Sequence, residues 1–417
     1  MLTFDFKNVF SVGDHGLLKE PDMSWFPQPS GKRYSFYDLP ENGKLADEIA
    51  EFAREAREKF DHFVLLGIGG SALGARCIAD ALASASERGR LIILDNVDPA
   101  LLSNATAGLD LARTLFLVVS KSGGTPETVA QYFYFREKTE ATGLKATEHF
   151  VFVTDPEKGF LRKIAREEKI RSFEIPPEVG GRFSVLSACG LLPAALLGID
   201  IHGLLRGAAR QREGIFHTSF QENHAYQLAA IQYLLWKERG VPMTVIMPYS
   251  SQLSTFSDWY VQLLSESIGK EKNLRGETVN VGLTPVKAVG VTDQHAQVQL
   301  FTSGPFDKFL LFIEVSESDF DLKIPVMYES EKDFSYLHGV SFHQLLLTEK
   351  RATEQALTQY GRPNATVKIS KLDSEHLGML FMLFQESVAF LGELCGIDAF
   401  DQPGVELGKV LTKRLLS

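Results

Sequence analysis

Cysteine is scarce in this chain: Cys77, Cys189 and Cys395 are the only three in 417 residues. An odd count at wide spacing excludes a disulfide framework and offers no zinc-ligand pattern. Buried, reduced thiols in a cytoplasmic protein are the expectation. Basic charge is short as well. Lys and Arg number 43 against 53 Asp and Glu, a formal net charge of −10. A broad nucleic-acid-binding face needs the opposite balance, so an anionic ligand must be held by local donors. No apolar run reaches the roughly 18 residues of a membrane span. The opening Met1-Leu2-Thr3-Phe4-Asp5-Phe6-Lys7 lacks the charged-then-apolar order of a secretory leader. No low-complexity tract or short repeat occurs, and no ligand cluster for a metal or redox cofactor.

What is present is apolar sequence in short, regular pieces. Hydrophobic residues make up 44%, enough for a large core, and the length predicts two or three units at roughly 100–200 residues each. Phe63–Leu66, Leu91–Leu94, Leu115–Val119, Phe150–Val153 and Ser172–Ile175 are the predicted strands of a first unit. Met243–Met247, Val286–Val289, Phe309–Ile313 and Thr366–Ile369 are those of a second. Helical periodicity lies between them, at Leu45–Phe60, Ser251–Ser267 and Phe342–Tyr360, and residues 186–238 are mostly helical. Such alternation predicts an α/β protein with two doubly wound parallel sheets, helical connections and a C-terminal helix. The expected division is an N-terminal arm over 1–44, α/β domains over 45–215 and 216–372, and a helical segment over 373–417. Residues 375–396 form a long apolar helix that must be buried.

Ser120-Lys121-Ser122-Gly123-Gly124-Thr125-Pro126 sits between a strand and a helix. A strand ending there aims backbone N–H groups and the positive end of a helix dipole at one spot. Glycines permit close approach, and Ser120, Ser122 and Thr125 add short donors. The sum is a cradle for a small anion, most simply a phosphate. It is not a nucleotide P-loop, because the lysine precedes the glycines. Gly67-x-Gly69-x-x-Ala72 is formally a dinucleotide fingerprint, but Asp95 stands too far on to serve as its acidic partner. Gly70 and Ser71 serve equally well beside a smaller ligand.

Three further segments carry chemistry. Gly180-Gly181-Arg182-Phe183-Ser184 fixes a permanent charge by backbone, suited to a developing oxyanion. Gln262 and Glu266 share one helix face, where a carboxylate can act as a general base. Asp293-Gln294-His295 opens a helix after a strand, where an imidazole can transfer protons near neutral pH. Lys409, in Asp401-Gln402-Pro403-Gly404-Val405-Glu406-Leu407-Gly408-Lys409, lies near a helix start, where an anionic ligand would offset its unfavourable position.

Together, in this order and from about residue 63 to 409, these stretches resemble the glucose-6-phosphate isomerase (phosphoglucose isomerase) family in a short bacterial-type form. The Gly181-Arg182 and Val405–Lys409 segments are the most specific; the two glycine loops alone are shared by the wider sugar-isomerase fold. The resemblance implies interconversion of glucose 6-phosphate and fructose 6-phosphate through a cis-enediolate, without cofactor or metal. It implies that Ser120, Lys121 through its backbone, Ser122 and Thr125 hold the phosphate, with Gly70, Ser71 and Gly181 beside them. Glu266 is implied as the base, Arg182 as the enediolate stabiliser, His295 and Lys409 as ring-opening residues, and Gln262 and Gln402 as substrate-contacting amides. It also implies a cytoplasmic homodimer in which His295 serves the neighbouring subunit, with neither nucleic acid nor membrane as partner. Ser122 and Pro403 stand where many members carry Thr and Trp. A sugar-phosphate-sensing regulator would need the anion cradle but not Glu266, His295 or Lys409. A nicotinamide dehydrogenase would need the fingerprint completed.

Overall fold

The structure, a computed structural model, describes residues 2–10, 34–213, 222–320 and 322–417. Its strands are β1 (Leu2–Asp5), β2 (His62–Leu66), β3 (Leu91–Leu94), β4 (Thr114–Ser120), β5 (Phe150–Thr154) and β6 (Ser172–Glu174), followed by β7 (Met243–Pro248), β8 (Lys270–Lys272), β9 (Thr278–Val281), β10 (Thr284–Lys287), β11 (Lys308–Val315) and β12 (Asn364–Ile369). The helices that matter for the site are α1 (Gly43–Lys59), α2 (Leu73–Leu82), α3 (Pro126–Ala141), α4 (Ala188–Leu196), α5 (Ile201–Arg212), α6 (His224–Arg239), α7 (Ser254–Ile268), α8 (Phe342–Gln359), α9 (Ser374–Cys395) and α10 (Glu406–Leu416).

The first sheet runs β3-β2-β4-β5-β6 and is parallel throughout. In β4, Leu115, Leu117 and Val119 face one apolar cluster, while Phe116 and Val118 face another. That two-sided burial is why the strand is a continuous apolar run with no alternation. The chain order reverses between β2 and β4, with Leu66 beside Val118 in register. Ligands in open parallel sheets bind outside the carboxyl ends of strands at such a reversal. The two Gly/Ser loops leave the sheet at this place.

The second sheet, β1-β12-β11-β7-β10, repeats the winding over β7, β10, β11 and β12. Its edge is a departure from the sequence reading. Leu2–Asp5, expected within an arm, is an antiparallel strand on β12, pairing Leu2 with Ile369 and Asp5 with Thr366. The remainder of that arm up to residue 33 lies, apart from residues 6–10, outside the described residues, as does the boundary between 215 and 216.

Helix α9 joins the two halves. By length and composition it could cross a membrane, yet it is mostly buried inside the protein, against α5, α6 and α7. Phe381 stacks on Phe256 of α7 and meets Trp259 edge-on, and Phe384 meets Phe256 edge-on. One apolar cluster includes Phe63 and Leu65 of the first sheet, Ile246 and Leu311 of the second, and Leu380 of α9. The elements bearing the site therefore share one core.

Candidate active site

Arg182 is the centre of the site. It follows Gly181 in a single 3-10 turn, Gly181–Leu186, and is almost fully buried at 1% exposure. All three of its nitrogens donate. Nε bonds Ser267 Oγ at 2.7 Å; Nη1 bonds Gln402 Oε1 at 2.7 Å and lies 3.4 Å from Glu266 Oε2. Nη2 donates to the carbonyls of Ala399 and Asp401. Burial lowers the guanidinium pKa from its usual value, opposed by the charges of Glu266 and Asp401. A buried cation costs several kcal/mol unless its donors are satisfied, and this one is bonded from two segments of chain, 266–267 and 399–402.

Helix α7 brings the carboxylate. Tyr260, Leu263, Leu264 and Ser267 are its buried stripe, at the i, i+3, i+4, i+7 spacing of a helix packed on one face. Gln262 and Glu266 lie off that stripe, and Gln262 Nε2 donates to Glu266 Oε1 at 2.9 Å. One carboxylate oxygen is thus oriented by an amide and the other approaches a guanidinium. The side-chain carbonyl of Gln262 is buried and has no hydrogen-bond partner among the described residues.

The first glycine loop closes on the same place. A Cβ on Gly70 would stand 2.3 Å from the carbonyl carbon and oxygen of Gly181, so the two backbones meet where only glycine fits. Gly69, at φ +58°, brings its backbone beside the Gln262 amide. Ser71 ends the short 3-10 turn Gly69–Ser71.

Beyond β4, Ser120 Oγ and Thr125 Oγ1 are 2.8 Å apart, Ser122 Oγ lies 3.4 Å from Thr125 Oγ1, and the Gly124 N–H donates to Ser122 Oγ at 3.3 Å. Gly123, at φ +64°, turns the loop back, and Pro126 is the first residue of α3. Three hydroxyls and a helix N-terminus therefore gather at the reversal of the sheet. Lys121 is half-buried, and desolvation lowers its pKa against the opposing charge of Asp155.

Glu266, Arg182, Gln262, Gln402, Gly70 and Gly181 are thus in one cluster. A cavity of about 390 Å³ opens beside it, lined by Glu266, Lys270, Gln402 and Val405 among others. His295 and Lys409 make no hydrogen bond or ion pair to the cluster among the described residues. His295 ends a 3-10 turn, Thr292–His295, and is exposed. Lys409 pairs with Glu406 at 2.7 Å on an exposed helix. Sequence reasoning missed Ser267 and Lys270. A serine inside the apolar stripe of α7 signalled the first. Lys270, at 7% exposure, donates Nζ to the carbonyls of Glu266 and Asp401, and no spacing rule pointed to it.

Two sheets of parallel strands wound alike, the second with an antiparallel edge strand and the first with a hydroxyl-rich loop at its reversal, define a phosphosugar-isomerase fold. Its solved neighbours extend to the tagatose-6-phosphate ketose/aldose isomerase of Escherichia coli, at 17% identity and TM-score 0.54 over 89% of this chain and 92% of that one. The match to the family described as phosphoglucose isomerase spans residues 47–417. The glucose-6-phosphate isomerase of Carboxydothermus hydrogenoformans is 44% identical over 100% of this chain and 94% of its own. A glucose-6-phosphate isomerase structure from Chlamydia trachomatis superposes with TM-score 0.82 at 26% identity, covering 94% of this chain and 80% of that one. A hypothetical protein from Thermus thermophilus does so with TM-score 0.86 at 38% identity over 100% of both. The chain belongs to the phosphoglucose isomerase family and is an enzyme of the isomerase class.

Proposed function

We propose that the protein interconverts glucose 6-phosphate and fructose 6-phosphate, moving a proton between carbons 1 and 2. The observation that carries this reading is the pairing of Glu266 with Arg182, one carboxylate and one buried guanidinium at 3.4 Å. A proton beside a sugar carbonyl is weakly acidic, so its removal needs a positioned base and a cation for the enediolate oxygen. Glu266 is the base, aimed by Gln262, and Arg182 stabilises the enediolate. Ser120, Ser122, Thr125 and the Lys121 backbone hold the phosphate, next to Gly70, Ser71 and Gly181. The unpartnered Gln262 carbonyl and the Gln402 amide take sugar hydroxyls.

His295 and Lys409 open the sugar ring before proton transfer, and the enzyme works as a cytoplasmic homodimer with His295 serving the neighbouring site. What supports the dimer is exposure. His295 is exposed, and α10 carries Leu407, Val410, Leu415 and Leu416 at 63–86% exposure with no buried residue. Apolar surface of that kind marks a contact face.

A coupled assay on fructose 6-phosphate with the purified protein, without added metal or nucleotide, tests the reading. Glu266→Gln keeps the Gln262 contact but removes the base, and is expected to lower kcat by roughly 10²–10⁴-fold with KM little changed. Near-normal turnover in that variant would remove Glu266 from its role.

A further inference from the structure

Two carriers of the site come from distant parts of the chain: the end of α7, with Glu266, and the loop 398–402, with Gln402. Lys270 joins them. It follows Gly269, the residue that ends α7, and its Nζ donates to the Glu266 carbonyl at 2.8 Å and to the Asp401 carbonyl at 2.5 Å. The Asp401 carboxylate lies 3.1 Å from the same Nζ. The last carbonyls of a helix have no partner within it. Here the Glu266 carbonyl accepts from the lysine, while the Gly269 N–H donates to the Ser265 carbonyl. The Asp401 carbonyl also accepts Arg182 Nη2 at 3.0 Å. One peptide oxygen, immediately before Gln402, is therefore held by two buried cations.

We propose that Lys270 is a positioning residue that locks the Glu266 turn of α7 to the Gln402 loop, so that base and amide move as one unit. The proposal rests on the assignment of Glu266 as base. Among the described residues, the other side chain that hydrogen-bonds both this end of α7 and the loop is Arg182. The phosphate loop belongs to another element, β4 to α3, and does not depend on this joint. Loss of Lys270 should therefore impair turnover and spare anchoring of the phosphate.

The test measures kcat, KM and the inhibition constant of a sugar-alcohol phosphate in Lys270→Met, Lys270→Gln and Lys270→Arg, with Glu266→Gln in parallel. Lys270→Met is expected to lose roughly 10²-fold in kcat, the cost of a misplacement of about an ångström. KM and the inhibition constant should change less than about threefold, and Lys270→Arg, which keeps donors and charge, should recover most of kcat. Should the Met variant not fold, Lys270→Gln, which keeps an amide donor, should show the same split at smaller amplitude. Wild-type kcat in the Met or Gln variant, or a parallel collapse of kcat and inhibitor binding, overturns the proposal. Loss in the Lys270 variants with normal turnover in Glu266→Gln would instead reject the assignment of the base.

Discussion

Arg182 is bonded to side chains of Ser267 and Gln402 and to two main-chain carbonyls, so its geometry is set by a planar fork of donors. Lysine cannot reproduce that fork. Arg182→Lys is expected to reduce kcat by roughly 10²–10³-fold, the usual cost of losing one preorganised oxyanion donor; steady-state kinetics on fructose 6-phosphate checks it. Gly70 is the complementary case. A methyl group there meets the Gly181 backbone at 2.3 Å, where neither partner is a flexible side chain. Gly70→Ala should destabilise the protein by about 1–3 kcal/mol and displace Arg182 along with Gly181, visible as a lower denaturation midpoint together with lost turnover. Much of this was legible in the sequence. Glu266, Arg182 and the hydroxyl loop each belong to a pattern of residue types whose chemistry is local. Lys270 was not legible, because its two carbonyl partners come from backbone four residues before it and from a loop 131 residues away.

The strands most easily read were β4, β5 and β11, whose residues are buried throughout. Parallel central strands must be apolar on both faces, and a continuous run says so. The hairpin of β8 and β9 left no such trace. Lys270-Glu271-Lys272 holds no apolar residue, and its strand exists through pairing with Thr278–Val281. Helix α9 was legible by its apolar length, and its cap makes a prediction. Asp373 accepts from the backbone N–H of His376, is 2.7 Å from the His376 ring, and pairs with Lys371. Desolvation opposes these contacts, yet they hold the carboxyl down at about 2. A depressed carboxyl stabilises the fold fully above its unfolded pKa, about 3.9, and loses that contribution as pH falls through its folded value. Wild type should therefore exceed Asp373→Asn in stability at neutral pH, with the gap closing as pH drops from about 4 towards 2; denaturant titrations across that range measure it.

At the scale of the molecule, α10 leaves Leu407, Val410, Leu415 and Leu416 63–86% exposed, and Phe320, Tyr328 and Tyr336 are 68–76% exposed. If these faces join two copies and His295 serves the opposite site, two inactive variants should complement each other. In a mixed dimer of Glu266→Gln with His295→Ala, one site carries both defects and the other carries none. Refolding the two variants together in equal amounts should restore about a quarter of wild-type activity, given random pairing of a twofold dimer. Absence of recovery, with mixed dimers present by mass spectrometry, would assign His295 to its own subunit.

The pairing of Leu2–Asp5 with Thr366–Ile369 has a consequence for biosynthesis. Domains generally fold in the order in which they leave the ribosome, but Leu2–Asp5 finds its neighbour only once Thr366–Ile369 has been made. Until then β1 has no partner strand, and afterwards it seals the flank of β12, a row of amide and carbonyl groups that would otherwise recruit stray polypeptide. Deletion of residues 2–5 should therefore show itself as inclusion bodies and not as a slow enzyme.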